Sequence, residues 1–229
     1  PKSSFEQINI LKEKFKDQQT LTFTLAPHAI YTCCKETLKK CRDIAQKENA
    51  LIHIHLSETA FEVEQCIKEH NLKPIEYLNK IGLLCDRLTI AHGVHVDEKE
   101  MELLKKHNVS VCINTESNLK LASGFAPIKK YLEYGINLCL GTDSVASNNN
   151  LSIWATTVNS DSDSSSTSHS NTNRWVNSTI NIGTRNSSSN RSIGILSSNI
   201  VCIHGEGESI IITTIRSIGG GNSTDNNSL

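Results

Sequence analysis

The chain has 229 residues, 37% of them hydrophobic, and a formal net charge of -1. This length allows one sizeable hydrophobic core, and the near-neutral charge gives no electrostatic footprint for nucleic acid or an anionic membrane. No apolar stretch approaches the roughly 18 residues of a membrane-spanning helix, and the eight cysteines form no C-x-x-C pair, so we predict a reduced, cytoplasmic protein.

Helices and apolar strands alternate along the first 142 residues. Residues 4–17 have the periodicity of an amphipathic helix and precede a predicted strand at 21–26. Four more pairs follow, with helices at 32–47, 58–70, 97–107 and 126–134 and with strands at 50–56, 87–92, 109–114 and 136–142. Such alternation is typical of βα units in a parallel sheet. Because no G-x-G-x-x-G or phosphate loop is present, we predict an α/β fold that forms part of a (β/α)₈ TIM barrel.

The last third of the chain has a different composition. All 17 lysines lie at or before Lys130, whereas Ser, Thr and Asn make up 38 of the 75 residues from 155 to 229. Such a segment has too little apolar surface to offset the entropy lost on folding. We therefore predict a partial barrel at 1–154 and a low-complexity tail at 155–229 that is disordered or non-native, with one β-prone run at 209–218. Since the chain begins with Pro1 rather than Met, we also expect an upstream segment to be missing.

Ionisable residues recur at the ends of the predicted strands. His28 follows the first strand, His55 and Glu58 close the second, His92 closes the third, and Asp143 follows the fifth. A single histidine at a strand end is more often a hydrogen-bonded structural residue. In a parallel barrel, however, all these ends converge on one face, where the βα loops build the active site. Imidazoles and a carboxylate at one place predict a catalytic metal site, because His and Asp are usual ligands of zinc.

Two histidines lie two residues apart in the second strand. His53 and His55 point to the same face, because alternate residues of a strand do so. His55 is nearer the carboxyl end, so we predict that His55 is the metal ligand and that His53 is a core residue one layer below. Glu58, one turn further on, can overhang the metal without binding it, as a proton donor or acceptor must.

Five segments carry a resemblance to a known family. They are APH at 26–28, HLSE at 55–58, AHGVH at 91–95, SNLKLASG at 117–124 and GTDSVASNNN at 141–150. With these motifs the chain resembles the amidohydrolase superfamily, in particular its 5-methylthioadenosine/S-adenosylhomocysteine deaminase group and the related chlorohydrolases. The resemblance covers residues from about 1 to 154, equivalent to barrel strands four to eight, and does not reach the tail.

The resemblance implies roles for these residues in metal-dependent hydrolytic deamination. His55 and Asp143 correspond to ligands of one divalent metal, expected to be zinc, and Asp143 also takes a proton from the water that the metal activates. Glu58 corresponds to a substrate-contacting proton shuttle, and His92 to the histidine that polarises the attacking hydroxide or the substrate. His28 corresponds to a substrate contact, and Glu58 and Asp143 also face the substrate. The implied substrate is a small adenine nucleoside, such as 5-methylthioadenosine or S-adenosylhomocysteine.

Several alternatives remain open from the sequence. The family's first strand carries an H-x-H pair that completes the metal site; this pair is absent here, so we expect the chain alone to be inactive. A related amidohydrolase could act instead on aminodeoxyfutalosine, guanine or a chlorotriazine. Two further hypotheses concern the whole product and its tail. The chain could be a non-catalytic product of a disrupted reading frame, or residues 155–229 could form a natural interaction segment. Whether the chain forms a homo-oligomer is also left open.

Overall fold

The computed structural model describes residues 4–18, 21–149, 151–153, 194–195, 201–205 and 208–214. The helices are α1 (Ser4–Lys14), α2 (Lys35–Glu48), α3 (Ala60–His70), α4 (Pro74–Lys80), α5 (Glu98–Lys106), α6 (Thr115–Lys120) and α7 (Ile128–Glu133). The strands are β1 (Leu21–Ala26), β2 (Leu51–Leu56), β3 (Leu88–His92), β4 (Ser110–Ile113), β5 (Asn137–Leu140), β6 (Gly194–Ile195), β7 (Val201–Gly205) and β8 (Glu208–Thr214).

The five strands predicted between residues 21 and 142 are all present, in the predicted order. Two short helices, α4 and α6, were not predicted, because their seven and six residues span too few turns for a clear apolar period. Pro74 at the first turn of α4 is nevertheless a recognised helix-start signal. The predicted second helix begins at Lys35 rather than Thr32, since the backbone at Cys34 is still extended.

The strands form one sheet in the order β6-β5-β4-β3-β2-β1-β8-β7. Neighbouring pairs from β1 to β6 are parallel, and β8 is antiparallel to both β1 and β7. The parallel pairs from β1 to β5 are successive in sequence, and each connection contains at least one helix. The carboxyl ends of these five strands therefore lie along one edge of the sheet, as a βα barrel requires.

The two faces of the parallel strands differ in chemistry. One face is apolar and is buried with helix residues such as Leu38 and Met101 in a single core; its strand residues are Ile52, Ile54, Leu56, Leu88, Ile90, Val111, Ile113, Leu138 and Leu140. The opposite face alternates with it and carries His53, His55, Thr89, Ala91, Ser110, Cys112, Asn137 and Cys139. The register places His55 beside Ala91, Ala91 beside Cys112, and Cys112 beside Cys139. The second face is therefore the one that carries His53 and the predicted ligand His55.

Most of the predicted tail at 155–229 lies outside the described residues. Within it, the backbone of β8 pairs with β1 along all six residues of β1, and the β-prone run at 209–218 overlaps β8. A disordered or non-native tail stays a prediction. Among the described residues, no helix has the length and apolar character needed to cross a membrane, and the cysteines whose side chains are described are free thiols.

Candidate metal centre

His55 lies at the carboxyl end of β2 and is held by the backbone of His28. Its Nδ1 lies 2.8 Å from the carbonyl oxygen of His28, and its backbone N–H donates to the same oxygen at 3.0 Å. Because a carbonyl oxygen only accepts hydrogen bonds, Nδ1 carries the proton and Nε2 keeps its lone pair. Burial, and then the neighbouring His92, lower the pKa of His55. The imidazole is therefore neutral near pH 7, as a metal ligand must be.

His92 is the last residue of β3 and its side chain is buried. Its φ of 72° lies in the left-handed region, where a non-glycine residue is strained. Nδ1 donates to the amide oxygen of Asn118 at 2.8 Å. The ring stacks on that of His55, with 5.5 Å between their centroids. The strained turn at the end of β3 thus brings the second imidazole next to the first.

Asp143 follows β5 and also has a left-handed backbone, with φ of 62°. Its Oδ2 accepts hydrogen bonds from the hydroxyls of Ser117 at 2.7 Å and Ser147 at 2.5 Å. Burial raises the pKa of Asp143, but these two hydrogen bonds and the nearby His92 and His55 lower it more, so the net shift is downward. Asp143 is therefore ionised at neutral pH, and one oxygen is oriented by hydroxyls while the other is left for a ligand.

His55, His92 and Asp143 form one cluster. Each offers one ligand atom, and these three atoms lie within 4.8 Å of one another. The neutral imidazole of His55 and the ionised carboxylate of Asp143 are donors of the kind that bind a catalytic zinc ion, and the imidazole of His92 lies beside them. The residues present therefore fit a divalent metal, and the cluster includes both predicted ligands together with His92.

Glu58 lies beside this cluster. Its Oε2 is 3.8 Å from Nε2 of His92, and its Oε1 accepts a hydrogen bond from the Ser123 hydroxyl at 3.1 Å. The side chain is 18% exposed, so it can meet both the cluster and a bound molecule. Glu58 is not one of the three clustered donors, and its overhang of a bound metal stays a prediction.

The other two predicted histidines surround the cluster. The ring of His28 lies 5.0 Å from that of His55 and 6.1 Å from that of Tyr31, and its Nδ1 is 2.9 Å from the Thr32 hydroxyl. The ring of His53 lies 6.3 Å from that of His55, on the same face, and is not among the clustered donors. Burial lowers the pKa of His53 to about 4, so it stays neutral.

The residues that orient the site were not predicted from the sequence. Ser117, Asn118 and Ser123 all lie in the SNLKLASG segment, which was noted as a motif but given no role. Ser147 lies in the loop after β5, and its only sequence signal is its place in the GTDSVASNNN segment. The contacts of Ser117, Asn118 and Ser123 join residues that are 26 to 65 positions apart in the chain. These contacts therefore depend on how the loops meet.

Comparison with known families gives one match over most of the chain. The model of the amidohydrolase family matches residues 2–189. The match passes residue 154 and enters the tail, so it is longer than the resemblance predicted from the motifs.

Curated relatives match a shorter part. The 5-methylthioadenosine/S-adenosylhomocysteine deaminase of Thermodesulfovibrio yellowstonii is 48% identical over 141 residues, which cover 62% of this chain and 32% of that protein. The 5'-deoxyadenosine deaminase of Methanothrix thermoacetophila is 43% identical over 142 residues, covering 62% and 34%. This chain thus spans about a third of the length of these relatives.

Solved structures share the fold. A zinc-bound adenosine deaminase from Xanthomonas campestris superposes with a TM-score of 0.66 at 32% identity, over 70% of this chain and 37% of that one. A zinc complex of atrazine chlorohydrolase from Arthrobacter aurescens, at 22% identity, superposes with a TM-score of 0.57 over 64% and 34%, which shows the fold alone. These neighbours confirm the predicted partial (β/α)₈ barrel of the metal-dependent hydrolase type. The chain belongs to the amidohydrolase family.

Proposed function

We propose that this chain carries part of the active site of a metal-dependent hydrolase that deaminates an adenine nucleoside, such as 5-methylthioadenosine or S-adenosylhomocysteine. The observation that carries the proposal is the cluster of His55, His92 and Asp143 with the Glu58 carboxylate 3.8 Å from His92. A hydrolase of this kind needs a metal ligand set and a separate proton-transfer group next to it.

His55 and Asp143 would hold the metal, which we propose is zinc because the adenosine deaminase neighbour from Xanthomonas campestris is zinc-bound. When bound, such a metal lowers the pKa of a coordinated water toward ~7. The tautomer of His55 supports this role, since the bond to the His28 carbonyl leaves Nε2 as the ligand atom. The hydroxyls on Asp143 Oδ2 support it as well, because they fix the carboxylate plane.

The neighbouring side chains carry out the proton transfers in the proposed reaction. Asp143, ionised at neutral pH, accepts a proton from the attacking water, whose oxygen adds to C6 of the adenine ring. Glu58 delivers a proton to the ring nitrogen, and Asp143 passes the water proton to the departing amine as the C6–N bond breaks with loss of ammonia. The proton of the remaining C6 hydroxyl returns to Glu58 as the 6-oxo group forms. His92 orients the attacking water or the substrate through Nε2, and His28 contacts the substrate. In the net reaction, water replaces the amino group at C6 of the adenine ring, which gives a 6-oxo product and ammonia.

The substrate class rests on the relatives. The curated relatives reported above are named as deaminases of 5-methylthioadenosine, S-adenosylhomocysteine or 5'-deoxyadenosine, at 43–48% identity. These substrates share the adenine ring and differ at the 5' position. We therefore propose a 5'-modified adenine nucleoside as the substrate. A cytoplasmic location, and the absence of nucleic acid and membrane partners, stay predictions from composition.

Zinc binding by the 229-residue chain tests the site directly. We expect one zinc per chain, measured by competition with a chromophoric chelator. His55→Gln should weaken binding at least tenfold because a ligand is lost, whereas His92→Gln and His53→Gln should change it less than threefold. If His92→Gln weakens zinc binding as much as His55→Gln does, His92 is a third ligand. Loss in His53→Gln but not in His55→Gln would show that the register of β2 was wrongly assigned.

Turnover requires a barrel of the relatives' length, so a chimera tests the activity. The 141 matched residues of this chain would replace the corresponding segment of the T. yellowstonii deaminase, and loss of adenine absorbance would be followed with added zinc. We expect turnover, with Glu58→Gln keeping its zinc and losing about 10²-fold or more in rate, the usual scale for general acid–base catalysis. A folded, zinc-loaded chimera without turnover would contradict the proposed function and favour the inactive product. Assay of the unmodified chain beside it tests the expectation that the chain alone is inactive.

A further inference from the structure

Glu62 is a buried carboxylate that contacts the segment carrying Glu58. It lies in the first turn of α3 and is 4% exposed. Its Oε1 accepts the backbone N–H of Ser57 at 2.9 Å, and its Oε2 accepts the backbone N–H of Glu58 at 2.8 Å. The backbone N–H of Glu62 in turn donates to the Thr59 hydroxyl at 3.1 Å. One side chain thus accepts two of the three backbone N–H groups between β2 and α3.

These two N–H groups lie where the chain leaves the sheet. Ser57 has a φ of 54°, in the left-handed region that non-glycine residues rarely adopt. A buried N–H group without an acceptor is costly, and these two N–H groups donate to the side chain of Glu62 rather than to a backbone carbonyl. The Glu62 carboxylate satisfies both. It therefore stabilises the one backbone conformation that directs the Glu58 side chain from the end of β2 towards the cluster.

A closed circuit of hydrogen bonds runs from Glu62 back to the side chain of Glu58. The carbonyl oxygen of Ser57 accepts the backbone N–H of His95 at 2.9 Å, and Nε2 of His95 donates to the carbonyl oxygen of Ser123 at 2.9 Å. The Ser123 hydroxyl then donates to Oε1 of Glu58. Glu58 is held at its backbone by Glu62 and at one carboxylate oxygen by Ser123, which leaves Oε2 towards His92.

A simpler account makes Glu62 only a helix cap, and the chain contains a cap with which to compare it. In α5, Glu100 occupies the same third position, is equally buried, and accepts the backbone N–H groups of Asp97 and Ile75. Glu100 does not contact the cluster residues or Glu58. The two glutamates therefore share chemistry, burial and helix position, and differ in whether the bound backbone carries Glu58.

We propose that Glu62 is a positioning residue: its carboxylate fixes the backbone of Ser57 and Glu58 and so holds the Glu58 carboxylate beside the candidate metal cluster. This inference rests on the proposed function, in which Glu58 transfers the proton. Glutamine at position 62 keeps one acceptor oxygen and presents an N–H₂ group to the second backbone donor, so one of the two bonds is lost.

Amide hydrogen exchange on the 229-residue chain is the first measurement. In Glu62→Gln, the amides of Ser57 and Glu58 should exchange at least tenfold faster than in the native chain, while zinc affinity changes less than threefold. Glu100→Gln should leave these two amides unchanged. If Glu62→Gln does not fold, Glu62→Asp serves instead, because its carboxylate is one methylene short of both donors. Unchanged exchange at Ser57 and Glu58 would overturn the proposal.

The chimera described above supplies the kinetic measurement. Glu62→Gln should lower kcat at least tenfold with little change in KM, because the substrate still binds but the proton-transfer group is displaced. Glu100→Gln should keep the native kcat. If Glu62→Gln and Glu100→Gln lose the same amount of kcat, Glu62 acts only as a helix cap and the proposal is overturned. If the parent chimera is inactive, the proposed function fails, and the exchange and zinc measurements still decide whether Glu62 holds the backbone of Glu58.

Discussion

Glu100→Gln should remove a pH-dependent loss of stability from this protein. Glu100 is 1% exposed, and its oxygens accept the backbone N–H groups of Ile75 at 3.1 Å and Asp97 at 3.3 Å. Burial raises the pKa of Glu100 to about 7, although the two N–H groups lower it in part. The folded protein therefore binds the Glu100 proton more tightly than the unfolded chain does, and Glu100 ionises at a cost.

The direction and size of the effect follow from that pKa. Because the folded pKa is raised from 4.5 to about 7, the contribution of Glu100 to stability is fully present below pH 4.5 and is lost as pH rises through 7. Each unit of pKa difference corresponds to about 1.4 kcal/mol, so the free energy of unfolding should fall by about 2 kcal/mol between pH 5 and pH 8 on account of this residue. Glutamine does not titrate, so the variant lacks this part of the slope.

Urea unfolding followed by circular dichroism at pH 5, 6, 7 and 8, at constant ionic strength, measures the slope. Between pH 5 and 8, the free energy of unfolding should fall more steeply with pH in the native chain than in Glu100→Gln. Glu98→Gln is the matched control, since Glu98 lies in the same helical turn but is exposed and paired with Lys130 on the surface. If Glu100→Gln keeps the native slope, or if Glu98→Gln loses as much of it, the burial of Glu100 is not the cause.

Two further predictions concern the packing that supports the site. Gly141→Ala should destabilise the protein by about 1–3 kcal/mol, because an added Cβ meets Sγ of Cys112 at 2.7 Å; urea unfolding measures the loss, and Cys112→Ala in the same chain should recover part of it. Tyr131→Phe should cost about 1–2 kcal/mol, because the buried hydroxyl donates to the carbonyl oxygen of Gly93 at 2.5 Å. Tyr134→Phe, at a more exposed ring, should cost less than Tyr131→Phe, and an equal cost in both tyrosine variants would contradict this explanation.

The strand order and the strand ends could be predicted because both are local properties of the chain. Apolar runs such as that of β2 and the helices between them recur at regular spacing, and the alternation alone favours a parallel sheet. His55 was chosen over His53 from its position along β2, and the structure places His55 and not His53 with His92 and Asp143. The short helices α4 and α6 were not predicted, because seven and six residues are too few to show a clear apolar period.

The family, the βα order and the strand ends that carry His55, His92 and Asp143 are all evident in the sequence. Which atoms of these three residues meet depends on the folded chain. The tautomer of His55 depends on the carbonyl oxygen of His28, 27 positions away, and the orientation of Asp143 depends on Ser117, 26 positions away. Such contacts are set by strand register and loop conformation, which a period of two or 3.6 residues cannot encode. For the same reason Glu62 reads in the sequence as an ordinary first-turn glutamate, although in the folded protein it binds the backbone that carries Glu58.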